Sequence, residues 1–464
     1  MESEENKHEI ILSKETKNLT IFSSTGLITR GQKLADLVLV KSPLLTKIEG
    51  ILLAKLSEIS HKNGKYPLFH KINLAVALLE IRNKSSENWA IGVLNEESEE
   101  SGDIAQISNP KRELLQVLAK LGKREIASEY VLEKFRKHWN GTGFLPSLGW
   151  IFNLLSDKQA GSLIELFSNA NESSKIGIII VLGKSGRKQK EIISYLQGVA
   201  KNDTSAVIKI LACEALINLD QIVIAQNALT PILRYSYFAD DAKILLALIE
   251  NTKEASDQAT SMLLEKIQKK PGMLLEYNLY LPKLGQKELA ISLMLLVLTS
   301  PGADKKENRW KFKSAIDALI ELDCRNENFL DRLVDLSTDS KVDTWLRLQS
   351  FSAMLEFENI NETQAETLVI FSQSDGNQSH KVCAACVLSS FERTENVGVD
   401  FLVRSLSGKW SIVLGFSGIS EIFIKNKRLA LNTKFLKMLL DMPNKELGTS
   451  QCLTIIKMLK KAEQ

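Results

Sequence analysis

Proline is scarce in this chain, nine residues in 464, so the commonest interruption of a helix is nearly absent. Cysteine is scarcer still: five residues, an odd number, widely scattered. That excludes a disulfide framework and points to a reducing compartment, the cytoplasm. The five histidines, His8, His61, His70, His138 and His380, form no HExxH pair and suggest no ligand set. Long apolar runs are missing as well. The longest, "ELAISLMLLVLTSPG", stops short of the roughly 18 to 20 residues that a membrane span requires. The first residues, "MESEENKHEI", are acidic and polar where a secretory signal would be basic and then apolar. Nor does one sign of charge dominate, since the net charge is +3. The distribution is uneven, however: Arg404 to Gln464 holds eleven basic against four acidic residues, leaving the rest of the chain at −4.

What is abundant is apolar residues at i, i+3, i+4 and i+7, the spacing of an amphipathic helix. In "RELLQVLAKLG", Leu114, Leu115, Leu118 and Leu121 make one stripe, and Gly122 can close the helix in a left-handed cap. "KKENRWKFKSAIDALIELD" repeats the design, with Trp310, Ile316, Leu319 and Ile320 as the expected core stripe. Helices this short need neighbours to be stable.

The helix-end pattern recurs. It reads "LAKLG" to Gly122, "FNLLS" to Ser156, "LGKSG" to Gly186, "LINLD" to Asp220, "LALIE" to Glu250, "LPKLG" to Gly285, "LIELD" to Asp323, "MLEFE" to Glu358, "LSSFE" to Glu392 and "IFIKN" to Asn426. Successive spacings are 34, 30, 34, 30, 35, 38, 35, 34 and 34 residues. Such a period holds two short helices and two turns, the unit of an α-solenoid. From about residue 110 to 440 the units, with second helices such as "TSAVIKILACEALINLD", "KVDTWLRLQSFSAMLEF" and "SHKVCAACVLSSFE", resemble short bacterial-style HEAT-like repeats of the HEAT and armadillo superfamily. The arginine usual in the second helix is Lys209 in the first of these. Tetratricopeptide and ankyrin signatures are not met. The resemblance implies an all-α superhelix of helical pairs that acts as a non-enzymatic scaffold or adaptor, holding a protein partner along a concave face, with no cofactor.

The ends depart from the period. Residues 1–42 read as an atypical cap, extended or a hairpin around "NLTIFSST". Residues 43–109 hold helices near 44–60 and 68–82, then a long surface loop from 83 to 109 that contains the acidic "NEESEESGD". The repeat array is expected over 110–464, with a basic C-terminal end.

Motifs with chemical meaning fail on inspection. "GIIIVLGKSG" ends like a phosphate-binding loop, but five residues separate Gly177 from Gly183 where four are required, and the intervening residues are apolar. His380, Cys383 and Cys386 in "HKVCAAC" fall short of four zinc ligands and read as small buried residues. "GFSG" at 415–418 is one residue short of a nucleophile elbow. Basic clusters remain: Lys134, Arg136 and Lys137 beside Trp139; Lys305, Lys306, Arg309 and Lys311 around Trp310; and Lys425, Lys427 and Arg428. Lys209, Arg347 and Lys381 occupy equivalent places in three second helices and are expected at the surface. These residues are the candidate contacts for a partner. Nucleic acid is the alternative ligand, favoured if the clusters share one face.

Overall fold

Gly122, Asp220, Gly285 and Asp323, which close four of the recurring patterns, all adopt positive φ, at 82°, 59°, 78° and 53°. In each case the following N–H reaches back five residues: Lys123 to Leu118 and Cys324 to Leu319 at 2.9 Å, Gln221 to Leu216 and Gln286 to Leu281 at 2.8 Å. These are Schellman caps, which satisfy the last carbonyls of a helix. The computed structural model in which they occur describes residues 24–61, 67–83, 86–96, 109–138, 159, 164, 171–184, 190–234, 238–270, 274–303, 305–374, 377–406, 417–444 and 447–462.

Among these residues every regular element is helical. The N-terminal helices are α1 (Ser24–His61), α2 (Leu68–Glu80), α3 (Glu87–Asn95), α4 (Asn109–Lys120) and α5 (Arg124–His138). Then follow α6 (Glu172–Lys184), α7 (Lys190–Asn202), α8 (Ala206–Asn218), α9 (Ile222–Leu229), α10 (Ala239–Glu250), α11 (Lys253–Lys269), α12 (Leu274–Tyr277) and α13 (Lys287–Thr299). The last nine are α14 (Arg309–Glu321), α15 (Glu327–Thr338), α16 (Thr344–Met354), α17 (Glu362–Gln373), α18 (Gln378–Leu388), α19 (Glu395–Leu406), α20 (Ser417–Lys425), α21 (Thr433–Asp441) and α22 (Thr449–Lys461). The patterns at Glu250, Glu358, Glu392 and Asn426 fall within four residues of the ends of α10, α16, α18 and α20. Those at Ser156 and Gly186 lie outside the described residues.

Two rows of helices run through the second half of the chain. In one, α14 touches α16, α16 touches α18 and α20, and α20 touches α22; in the other, α13 touches α15, α15 touches α17, and α19 touches α21. The second row is tied by polar contacts about one period apart. Asn361 donates to Glu327, Gln364 to Asp331 at 2.6 Å, and Asn432 to Glu395 at 2.8 Å. Glu327 and Glu395 each stand first in a helix, where the helix dipole favours a carboxylate. The side chains of Asn361 and Asn432 also accept from the N–H groups of Gln364 and Phe435 as N-caps, so one residue both starts its helix and bonds to the preceding unit.

The rows do not end at the C-terminus. Helix α22 packs on α2, α2 on α4, and α21 on α1. Lys47 of α1 donates to the Leu440 carbonyl at 2.6 Å and to that of Met442, closing the end of α21, while Lys460 meets Glu80 at 2.5 Å and Lys457 pairs with Glu113. Residues from Val40 to Leu459 accordingly share one apolar core; a smaller one gathers Ile244, Leu263, Leu281 and Ala290. Residues 72–79 of α2 and 382–388 of α18 are buried without interruption, as helices surrounded on every side must be.

Two expectations need correction. Residues 24–42 are helix, where an extended or hairpin cap was expected; residues 1–23 lie outside the described residues. Val40, Leu44, Ile48 and Ile51 continue a helical stripe through Pro43, and packing offsets the backbone bond that proline removes. Within the expected loop 83–109, residues 87–95 are helical because Ala90, Val93 and Leu94 are buried; residues 97–108 lie outside the described residues.

Residues 172–184 form α6, so "GIIIVLGK" is helix and no phosphate loop. Gly183 serves packing: a Cβ there would lie 2.8 Å from Cα and Cβ of Ala215 in α8. Gly183→Ala is therefore expected to destabilise the protein by about 1–3 kcal/mol. Gly198→Ala in α7, where nothing lies within 4 Å, should stabilise it by about 0.5–1 kcal/mol. Denaturant unfolding of the two variants checks the contrast.

Candidate functional site

Trp310 was expected in the core and is 60% exposed. The apolar face of α14 is carried by Phe312, Ala315, Ile316 and Leu319, all buried, and a residue two places before Phe312 stands about 200° away around the helix. The ring leans instead on Trp345 of α16, with centroids 4.8 Å apart and planes tilted by 57°. The Arg309 guanidinium lies 5.6 Å from the Trp310 ring and 5.5 Å from the Trp345 ring. Such placements over indole are attractive.

Local chemistry fixes both first turns. Asp343 accepts from the N–H groups of Trp345 and Leu346 at 3.1 and 3.2 Å, which starts α16. Its own N–H donates to the Ala303 carbonyl at 3.3 Å, tying that start to the segment leading into α14. There Gly302 takes φ 105°, and its carbonyl accepts from the Asn308 side chain at 3.1 Å. The same segments, 299–303 and 338–342, line a cleft of about 640 Å³ with Arg332 and Asp335.

Lys305, Lys306 and Lys311, within five residues of Trp310 in sequence, are exposed. Among the described residues none of them, nor Arg309, pairs with a carboxylate. Helix α14 has no acid in its first turn, whereas α15, α17 and α19 each begin with glutamate. Cations at a helix start oppose the helix dipole, so this concentration of charge works against local stability.

The remaining candidates whose side chains are described do not join this cluster. Lys134, Arg136 and Lys137 fall in the last turn of α5, and their side chains, like Trp139, lie outside the described residues. Lys425 is paired with Glu356 at 3.6 Å and Glu421 at 3.5 Å, and Arg428 with Glu392 at 3.4 Å and Glu395 at 3.6 Å, leaving Lys427 exposed. They sit beyond the C-terminal end of α16, while Trp345 sits at its start; an 11-residue helix puts about 16 Å between the two. The clusters therefore occupy opposite edges.

Lys209, Arg347 and Lys381 are each the fourth residue of their helix, which bears out their equivalence. Lys209 and Lys381 are half-exposed. Arg347 is not a surface residue: it is buried, donates through Nε to the Ser337 carbonyl at 2.9 Å, and stacks 5.5 Å from the Phe371 ring. Burial holds its pKa below the usual value. The reason is the setting of α16, enclosed by α14, α15, α18 and α20.

His380, Cys383 and Cys386 lie on the inside of α18. Burial pushes the Cys386 thiol up to about 12 and raises that of Cys383 well above its usual value, so both stay protonated, the state in which sulfur neither attacks nor binds metal. Asn426 spans this helix end, donating to the Cys386 carbonyl at 2.6 Å and to Ser389 Oγ at 2.9 Å. Among the described residues no three His, Cys, Asp or Glu gather as metal ligands.

Compared with protein-family models, curated proteins and solved structures, the chain matches none.

Burial, and then the nearby Arg347 charge, lower the His380 pKa from 6.5 to about 4, despite a hydrogen bond to the Thr344 backbone that acts the other way. The unfolded chain thus binds a proton that the folded one refuses. Stability from this site is whole above pH 6.5 and falls as pH drops towards 4, by up to about 3 kcal/mol. His380→Gln is expected to flatten the curve over that window in denaturant titrations.

Proposed function

We propose that the protein is a non-enzymatic scaffold, a HEAT-like solenoid of helical pairs that holds an acidic segment of a protein partner at the Trp310 cluster. Three features support the architecture: helix ends recur at the period, helices contact their counterparts in neighbouring pairs, and polar contacts join side chains about one period apart. The observation that carries the binding role is the exposed Trp310, stacked on Trp345 under Arg309, with the exposed Lys305, Lys306 and Lys311 close in sequence and without carboxylate partners among the described residues. Tryptophan and arginine are the residue types that most often dominate binding energy at protein interfaces. The lysines choose an acidic partner through charge complementarity and speed encounter. The cleft beside the cluster offers room for the flanking chain of such a segment. Helices α18 and α2 are covered on every side, which favours the edge formed by helix starts over an expected concave face as the place of binding.

Nucleic-acid binding is less favoured because Lys425 and Arg428 are engaged by carboxylates at the opposite edge, so no continuous basic track joins them to Lys305–Lys311. The test is a photo-crosslinking residue placed at Lys311 in cells, followed by nuclease treatment. A discrete protein adduct that survives nuclease, maps to an acidic segment and disappears in Trp310→Ala supports the reading. The Trp310→Ala change should weaken binding of that segment by about 30-fold, the effect of about 2 kcal/mol at an interface hot spot. Adducts consisting of nucleic acid, or indifferent to Trp310, overturn it.

A further inference from the structure

The second row of helices turns an acidic face to solvent. Glu327, Asp331 and Asp335 follow one another at four-residue intervals on α15, as do Glu362 and Glu366 on α17, and all five are exposed. The helix dipole accounts for Glu327 and Glu362, which begin their helices. It does not account for Glu366 in mid-helix, nor for Asp335, which opens the last turn of α15, where a carboxylate is disfavoured. Among the described residues Glu366 makes no ion pair. Asp335 has Arg332 at 3.9 Å, and that guanidinium is held by the Leu298 carbonyl at 2.7 Å.

The next step along α17 is Ile370, 69% exposed. The contacts from Asn361 to Glu327 and from Gln364 to Asp331 hold α17 in step with α15, so Ile370 lies at the level of Asp335. Leu296, which opens the last turn of α13, is 65% exposed. With Trp310, these are three of the four most exposed large apolar side chains among the described residues; the fourth, Val223, is on α9. Grouped exposure of this kind marks an interaction surface. The cleft lined by residues 299–303 and 338–342 joins its parts, because α13 and α15 end there and α14 and α16 begin.

Building on the reading of the Trp310 cluster as a docking surface, we propose that two copies of the chain meet at this edge across a two-fold axis, the Trp310 cluster of each lying on the acidic face of the other. Charge complementarity selects a second copy as the occupant. Lys306, Arg309 and Lys311 outnumber the exposed Glu307 among them, whereas α15 and α17 carry five exposed carboxylates and, as their one cation, the half-buried Arg332. Because the basic and acidic parts adjoin, a two-fold axis between them makes both contacts at once, and a self-complementary patch closes as a dimer. Trp310 supplies the aromatic anchor, and Ile370 the apolar surface that it meets.

The experiment is sedimentation equilibrium of the full chain, comparing wild type with Lys306→Glu/Lys311→Glu and with Asp335→Lys/Glu366→Lys, each alone and the two mixed in equal amounts. All four positions are exposed, so both variants should melt close to wild type. Wild type is expected to pass from monomer to dimer between about 1 and 100 µM, the weak end of affinities for interfaces of ordinary size. Each variant alone sets like charges together at both contacts and should raise the dimer dissociation constant about tenfold or more. The mixture restores attraction at both and should recover the wild-type dimer. A wild type that stays monomeric over that range, assemblies that grow beyond a dimer, or a dimer that the variants do not weaken or the mixture does not restore, each overturns the assignment. A monomeric wild type whose Lys311 crosslink captures an acidic segment of a different protein leaves the scaffold reading standing.

Discussion

Helix α22 meets α2 across 380 residues of sequence, at Lys460 and Glu80, and the burial of both ends depends on that contact. Eight consecutive residues of α2 are buried, and no helix can bury its whole circumference against its neighbours in sequence alone. Helices α1, α3 and α4 take part of that surface and α22 takes the rest. The same holds in reverse for α22, whose eight buried positions between Gln451 and Leu459 are covered by α20 as well as by α2 and α1. The seam therefore lets α2 and α22 bury residues on faces that would otherwise have to be polar. It also defers part of the core until the last residues are made, the long-range kind of contact that slows folding.

In the second half of the chain, the connection from one helix pair to the next is both apolar and polar. Apolar contact alone would let one helix pair slide along the next. The contacts from Asn361 to Glu327, Gln364 to Asp331 and Asn432 to Glu395 remove that freedom, because an N-cap occupies one defined place in its helix. Small residues set the depth of approach: Gly183 against Ala215, and Gly398, where a Cβ would lie 2.4 Å from the Ser389 backbone nitrogen. Asn426 does the equivalent at the end of α20, and its buried amide is satisfied by α18 and by the Leu429 N–H.

Local features were legible in the sequence because their causes are local. A left-handed cap needs glycine or a short polar residue directly after an apolar turn, so "LAKLG", "LINLD" and "LIELD" disclosed helix ends that the backbone then shows. The equivalence of Lys209, Arg347 and Lys381 followed from the same counting. Their exposure did not, since counting along a helix places a residue on a face without saying what covers it. Arg347 is buried because α15 takes its Nε–H at Ser337 and the Phe371 ring of α17 lies against its guanidinium. Trp310 failed for a different reason: the spacing from Trp310 to Ile316 fits a helix loosely, and Phe312 fits the buried stripe better. The pairing with Trp345 had no signal in sequence spacing, because it depends on two helix starts brought together in space. The helix over residues 24–42 was hidden by β-branched residues and by Pro43, both local arguments that long-range packing outweighed.

The uneven charge of the chain has a structural explanation that separates its basic clusters. Lys425, Arg428, Lys434, Lys457 and Lys460 come from the basic C-terminal stretch, and their partners include Glu356, Glu392, Glu395, Asp400, Glu113 and Glu80, all from the remainder with net charge −4. Much of the asymmetry is thus complementarity between a late segment and the earlier units it packs upon. Exposed pairs of this kind contribute little energy individually, but they disfavour misregistered pairings that would bring like charges together. The cations around Trp310 make no ion pair among the described residues, and the one described carboxylate in their segment is the exposed Glu307. They stand at a helix start whose dipole they oppose, so the complementarity that accounts for the C-terminal cations does not account for these.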